Sequence, residues 1–369
     1  MDFRYVQYDP SLAARQELLN TLRSLFHHLL LQTSGDVDEA LRWLEQIVER
    51  YGLLSADVSI EDFKKWLEEQ EAIEQTPQGF QLTHRGERAI RQESLDAIFS
   101  ALGKDGAGDH RVSSPGDGIE RLPETRPWEF GDSYALVEPA ASLRNTLRRG
   151  GAEAAVGDGL DVREEDLEVY ETEHLSSCAT VLLIDLSHSM ILYGEDRITP
   201  AKRVALALCE LIKTRYPKDA FHVVTFGDEA EEVPLESLPF ISVGPFHTNT
   251  RAALQKARDL LRRSKRANRQ IFMITDGKPS ALTEPDGSLY KNPFGLDRRV
   301  VAKTLDEAAA CHRDGIQTTT FMLTDDPILV DFVDELTRVS HGRAFFARPD
   351  RLGEFLLVDY LRNRRRPMR

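Results

Sequence analysis

The run Ala179 to Ile184 is almost wholly apolar and ends at a carboxylate, Asp185. A continuous apolar run of that length suits a parallel strand covered on both faces, because neither side of it meets water. Residues beyond it alternate between helical and extended patterns. Thr199-Pro200 can open a helix that buries Val204, Ala207, Leu208, Leu211 and Ile212. Strands are expected at Phe221–Phe226, Ile271–Thr275, Thr318–Leu323 and Ala344–Ala347, with a short edge strand at Glu231–Leu235. Helices are expected at Thr250–Leu261, Val300–His312, Ile328–Val339 and Arg351–Leu361. This alternation predicts an α/β fold over residues 176–369, a doubly wound and mostly parallel sheet. Such sheets bind ligands beyond the carboxyl ends of their strands, where the strand order reverses.

The first hundred residues read differently. Leu18, Leu22, Leu25, Phe26 and Leu29 recur at helical spacing, as do Leu41, Leu44, Ile47, Val48 and Tyr51. Ser59 can cap a third helix with Phe63, Trp66 and Leu67 inward. Ile73–Gln75 and Phe80–Leu82 flank the turn Thr76-Pro77-Gln78-Gly79, and Thr83 can cap a further helix with Ile90, Ala97 and Ile98. Three helices, a hairpin and a helix resemble a winged-helix domain over residues 1–102. Nucleic-acid binding through this part is the alternative function. The candidate recognition helix, Ile60 to Glu69, carries Glu61, Asp62, Glu68 and Glu69, which repel phosphates. Nucleic acid is therefore disfavoured as a partner, and protein docking is the plainer reading.

Residues 103–121, rich in Gly, Ser, Asp and Pro, read as a flexible linker. Residues 122–175 read as a connecting segment packed on the C-terminal domain. Trp128 and Phe130 are its anchor, Ala140–Leu147 a short helix, Asp158–Arg163 a turn, and Leu167 and Val169 part of an edge strand.

At 41% hydrophobic and 29% charged, the 369-residue chain has the balance of a soluble globular protein. A formal net charge of -14 disfavours nucleic acid and anionic membranes as partners. Three cysteines, Cys178, Cys209 and Cys311, form no C-x-x-C pair, and their odd number argues against a disulfide framework. No basic-then-apolar leader opens the sequence and no run is long enough to span a bilayer. The expected location is cytoplasmic.

The chemistry-bearing residues cluster by fold position. Asp185, Ser187 and Ser189 form D-x-S-x-S-M with Met190 at the end of the first parallel strand. Thr248 precedes a helix, and Asp276 follows a strand in Thr275-Asp276-Gly277. If those strands flank the reversal point, three hydroxyls and two carboxylates meet at one sheet edge. Mg²⁺ takes six oxygens and gives up water reluctantly. Ser187, Ser189 and Thr248 suit direct ligation, while Asp185 and Asp276 suit ordering waters and hydroxyls around the ion. So few anionic ligands leave the ion attractive to a carboxylate from outside.

That three-part motif resembles the metal-ion-dependent adhesion site of von Willebrand factor A (vWA) domains, which have a Rossmann-like fold. The resemblance runs from about Ala179 to the C-terminus. It implies Mg²⁺, with Mn²⁺ as a substitute, bound by Asp185, Ser187, Ser189, Thr248 and Asp276. The family usually has glycine where His188 stands, so this loop is expected to be stiffer or differently shaped. In Thr248-Asn249-Thr250 the first threonine aligns with the metal ligand, and Thr250 is expected to be the helix N-cap. More extended similarity, at Phe80–Arg91 and Asp166–Met190, is to bacterial cytoplasmic proteins thought to work with AAA+ ATPases of the MoxR or magnesium-chelatase type. It implies a non-catalytic adaptor whose metal grips an acidic residue of the ATPase or a client protein, in protein remodelling or metal-cofactor maturation.

Other chemistry fits less well. No G-x-S-x-G elbow surrounds Ser187 or Ser189, and an adjacent His188 rarely points the same way. No P-loop is present, so ATP is not bound that way. Cys311 and His312 are expected to pack, and Arg362, Arg364, Arg365, Arg366 and Arg369 to form a frayed basic tail. The stretch Lys278–Asp297 reads as a long loop on the rim of the metal site, with Tyr290, Pro293 and Phe294 offering contact area.

Overall fold

The computed structural model describes residues 10–53, 58–104, 121–128, 134–150, 162–172, 177–264, 266, 268–292, 295–324 and 326–364. Most of the expected linker, the turn at 158–161, Phe130, Pro293, Phe294 and residues 365–369 of the basic tail lie outside them. The chain divides into two compact units: Met1–Gly108 with Ser177–Leu361, and Asp109–Ser176 with Arg362–Arg369.

In the first unit, α1 (Pro10–Gln32), α2 (Val37–Tyr51), α3 (Ile60–Glu69), the hairpin β1 (Ile73–Thr76) and β2 (Gly79–Leu82), and α4 (His84–Lys104) occur in the order expected. Their local signals hold. Ser59 and Asp62 form a reciprocal capping box at α3, and the Thr83 hydroxyl accepts from Gly86 N at 3.1 Å to cap α4. Phe26, Leu44, Phe63 and Leu67 fill the space between these helices.

The second unit pairs β3 (Arg121–Pro127) antiparallel with β4 (Glu168–Thr172), beside α5 (Pro139–Gly150). Asp166 organises it. Its carboxylate accepts from Arg149 Nε at 2.9 Å and Nη2 at 2.8 Å, from the Thr146 hydroxyl and from Arg163 N. The Arg149 guanidinium, helped by these bonds, holds Asp166 far below the ordinary carboxylate range. Trp128 stacks on Tyr134 with ring centroids 5.7 Å apart.

The large sheet belongs to the first unit. Its strands are β5 (Cys178–Asp185), β6 (Ala220–Phe226), β7 (Ala230–Val233), β8 (Asn268–Thr275), β11 (Ile316–Met322) and β12 (Arg343–Phe346). Their order is β12-β11-β8-β5-β6-β7, all parallel except β7, which closes the edge antiparallel to β6. Every residue of β5 is buried, as the unbroken apolar run requires. From β5 the chain moves to β6 on one side and later to β8 on the other. The reversal point therefore lies between β5 and β8, where Ile184 pairs with Ile274.

Helices α7 (Thr250–Arg263), α8 (Arg298–Arg313) and α9 (Pro327–Ser340) cover one face, with Leu254, Leu261, Cys311 and Val333 inward. The other face takes α6 (Ile198–Arg215) and α10 (Leu352–Arg364). Every residue of α6 from Val204 to Ile212 is buried. The sequence pattern predicts one inward stripe. The opposite stripe is covered as well, because α1 and α4 lie along it. The N-terminal helices thus complete the core of the C-terminal part. Lys202 shows how closely. Its side chain is only 1% exposed, and its Nζ donates to Leu31 O at 2.9 Å, with Ser34 Oγ and Pro239 O each at 3.4 Å. Burial pushes this lysine down to about 8.

Three local expectations need correction. Thr199-Pro200 does not open α6. The helix begins at Ile198, and Asp196 caps it by accepting from Thr199 N at 3.0 Å. Thr250 is not the N-cap of α7; the Asn249 carboxamide accepts from Ala252 N at 3.1 Å and takes that role. The stretch Lys278–Asp297 is not a plain loop, since β9 (Ala281–Thr283) and β10 (Leu289–Lys291) pair within it. Cys178, Cys209 and Cys311 are all buried, and none of them is in a disulfide. No described helix is long and apolar enough to cross a membrane.

Candidate metal centre

The five residues singled out in the sequence meet at the carboxyl ends of β5 and β8. Asp185 ends β5, wholly buried, and its Oδ1 accepts from Ser187 N at 2.8 Å. That bond turns the chain immediately after the strand. Leu186 N donating to Phe226 O at 2.8 Å and His188 N to Phe246 O at 3.2 Å fix the loop against its neighbours. The His188 ring is exposed, so the residue that replaces the family's usual glycine keeps its bulk out of the site. Met190 plugs the core behind the two serines.

Bonds among the side chains tie the loops together. Ser187 Oγ and Ser189 Oγ lie 3.0 Å apart. The Ser189 hydroxyl donates to Asp276 Oδ1 at 2.7 Å, and the Thr275 hydroxyl donates to Asp185 Oδ2 at 2.5 Å. Thr248 enters from the third loop, its backbone locked by Ser280 Oγ, which accepts from Thr248 N at 3.0 Å. Burial, and then the neighbouring Asp276 carboxylate, push Asp185 up to about 7. Two acids enclosed this closely favour a cation between them.

Gly277 reveals the convergence most directly. A Cβ at that position would lie 2.8 Å from Thr248 Oγ1, 3.1 Å from Ser189 Oγ and 3.2 Å from Asp185 Oδ2. Side-chain oxygens from two loops, the one after β5 and the one before α7, therefore close on one small space against the backbone of a third, at Gly277. Among the described residues no three His, Cys, Asp or Glu side chains gather as a metal cluster. The donors here are hydroxyls and carboxylates, the hard oxygen set that suits Mg²⁺ or Mn²⁺ and not a thiolate or imidazole metal.

Two residues that sequence reasoning passed over complete the site. Thr275 orients Asp185, and its Oγ1 also accepts from Gly277 N at 3.1 Å. Arg197 places Nη1 on Asp276 Oδ2 and its other nitrogens on Glu195. The signal for Arg197 was present: a cation just before a helix opposes the helix dipole and needs an anion to hold it there. The Tyr290 hydroxyl donates to Asp297 Oδ2 at 2.9 Å, bracing the N-cap of α8.

Residues 178–361 match the family described as the vWA domain of Rv0959-like proteins, and residues 120–172 match the third domain of the same proteins. Rv0959 of Mycobacterium tuberculosis, described as uncharacterized, is 33% identical over 363 residues, which cover 91% of this chain and 52% of that one. The chain spans about half the length of the curated relatives it matches. Among solved structures, the pilus adhesin SpaC from Lactobacillus rhamnosus GG is similar with a TM-score of 0.43 and 14% identity, over 52% of this chain and 31% of that one. BatB from Bacteroides thetaiotaomicron is similar with a TM-score of 0.38 and 14% identity, over 51% and 98%. On the family matches, the chain is a vWA-domain protein, and its residues 178–361 are a vWA domain of the Rv0959-like family.

Proposed function

We propose that the vWA domain is a non-catalytic, metal-dependent protein-binding module. Asp185, Ser187, Ser189, Thr248 and Asp276 would hold a divalent cation, Mg²⁺ or Mn²⁺. The observation that carries this reading is the meeting of Asp185, Ser189 and Thr248 oxygens, from two loops, around the space beside Gly277 in a third. When bound, the ion supplies a Lewis-acidic position for a carboxylate on a partner. The chain's own residues supply the rest. Ser189 and Thr275 hold the two aspartates in place, and the half-exposed side chains of Ile191 and Phe246 offer apolar contact around the acid.

The partner class we propose is an AAA+ ATPase of the MoxR or magnesium-chelatase type, or its client, engaged through an acidic residue. That step rests on the extended resemblance at Phe80–Arg91 and Asp166–Met190. The exposed face of α3 carries Glu61, Glu68 and Glu69 against Lys65, which supports protein over nucleic acid as the partner. The test is affinity capture on immobilised chain with Mg²⁺ and with EDTA, followed by identification of bound proteins. An AAA+ ATPase or its client retained in Mg²⁺, and lost in EDTA, in Ser187→Ala and in Asp276→Ala, is the expected result. Retention indifferent to the metal and to both substitutions would reject the reading.

A further inference from the structure

Arg197 stands where elementary helix electrostatics would not place it. It directly precedes α6 and contributes no side-chain cap. Helix N-termini favour Ser, Thr, Asp or Asn and repel cations. Arg197 is nevertheless held firmly. Its backbone N donates to Met190 O at 3.1 Å, tying it to the end of the D-x-S-x-S-M loop. Its side chain is 13% exposed. Nη1 donates to Asp276 Oδ2, while Nη2 and Nε donate to Glu195 Oε2 at 2.7 Å and 3.0 Å.

The two carboxylates that share this guanidinium differ in kind. The Asp276 side chain is 0% exposed and faces the candidate metal centre, whereas that of Glu195 is 61% exposed and outside it. Each oxygen of Asp276 already accepts a hydrogen bond, Oδ1 from Ser189 and Oδ2 from the Arg197 cation. A divalent cation drawing on Asp276 meets a positive charge already in place. The guanidinium must then turn toward Glu195 or remain as a like charge beside the ion, and either course lowers affinity.

We propose that Arg197 sets the metal affinity of the site by competing with the divalent cation for Asp276, and that Glu195 is the counter-anchor that draws the guanidinium away. This rests on the metal-binding reading above. The site would then load only when cation concentration is high enough to overcome an internal competitor. A merely structural arginine makes the opposite prediction, since removing it would loosen the loop and weaken binding.

The test is calorimetric titration of the full chain with Mn²⁺, for wild type, Arg197→Gln and Glu195→Gln, with folding checked by circular dichroism. Arg197→Gln should tighten Mn²⁺ binding roughly ten-fold, the order expected from removing one unit charge a few ångströms from the ion. Glu195→Gln should weaken it by about two- to three-fold, since an exposed ion pair contributes little. Wild-type binding with Arg197→Gln equal or weaker overturns the competition. If Arg197→Gln fails to fold, Glu195→Gln decides alone, and an unchanged affinity there overturns the proposal. A wild-type chain that takes up no Mn²⁺ overturns this inference together with the metal-binding reading, so the two failures are distinct.

Discussion

Single atoms decide the candidate metal centre. Gly277 has no side chain, and the oxygens of Thr248, Ser189 and Asp185 close on the place where one would be. Gly277→Ala adds a methyl 2.8 Å from Thr248 Oγ1, so the hydroxyl must retreat. Displaced supporting groups typically cost ten- to a hundred-fold in metal affinity. We expect a loss of at least about ten-fold in Mn²⁺ binding by titration, with the melting temperature nearly unchanged. Unaltered affinity would mean that the oxygens do not act on one ion. The meeting of these residues was largely legible in the sequence because each sits at or just after a strand end or just before a helix. Its neighbours were harder to read. Thr199 and Thr250 have N-cap chemistry, yet Asp196 and Asn249 are the residues whose side chains reach the free helix N–H groups. Pattern alone ranks residue types and cannot show which of two adjacent polar side chains faces the helix end. Arg197 was passed over for a related reason: its partner, Asp276, lies far away in sequence.

Among the elements, α6 departs furthest from its sequence pattern. An amphipathic reading gives it one inward face, but it is buried on both, between the sheet and the helices α1 and α4. No periodicity within α6 can announce that, because the covering surface comes from residues more than a hundred positions earlier. Lys202, Glu210 and Arg203 are what a second interface looks like once it is known. Glu210 accepts from Arg91 Nε at 3.2 Å, and Arg203 Nη2 lies 2.7 Å from His28 Nδ1. Lys202 supplies a pH signature of the interface. Its folded value of about 8 lies below its ordinary 10.5. Between those values the unfolded chain binds more protons than the folded one, so stability rises with pH across that window, and below it the buried charge carries its full cost. Urea unfolding of wild type and Lys202→Met at pH 7.5 and 9.5 checks this. The difference between them should move in favour of wild type by about 2 kcal/mol on going to the higher pH. A constant difference would mean that the lysine stays as solvated as a free one.

For the whole molecule, the shared core predicts that the N-terminal helices and the vWA domain unfold as a single cooperative object. Phe26, Leu30 and Leu44 belong to the same apolar cluster as Leu182, Ile184 and Phe272. Ile184 is the residue before Asp185, so the core that α1 completes reaches the metal centre itself. A ligand that binds only the native state stabilises everything that unfolds with its site, by about 2.7 kcal/mol at a hundred-fold excess over Kd. Saturating Mn²⁺ should therefore slow hydrogen exchange at the most protected amides of α1, α2 and α4 as strongly as at those of β5 and β8. In Asp276→Ala both effects should vanish together. Slowing confined to residues 178–361 would show that α1 and α4 open while the sheet stays closed, so that their packing on α6 is a docking contact. Matched slowing would mean that occupancy of the metal centre is felt on the helical side of the molecule, where Glu61, Glu68 and Glu69 are exposed. An adaptor that holds an acidic partner at one end would then have its other surface stiffened by the same event.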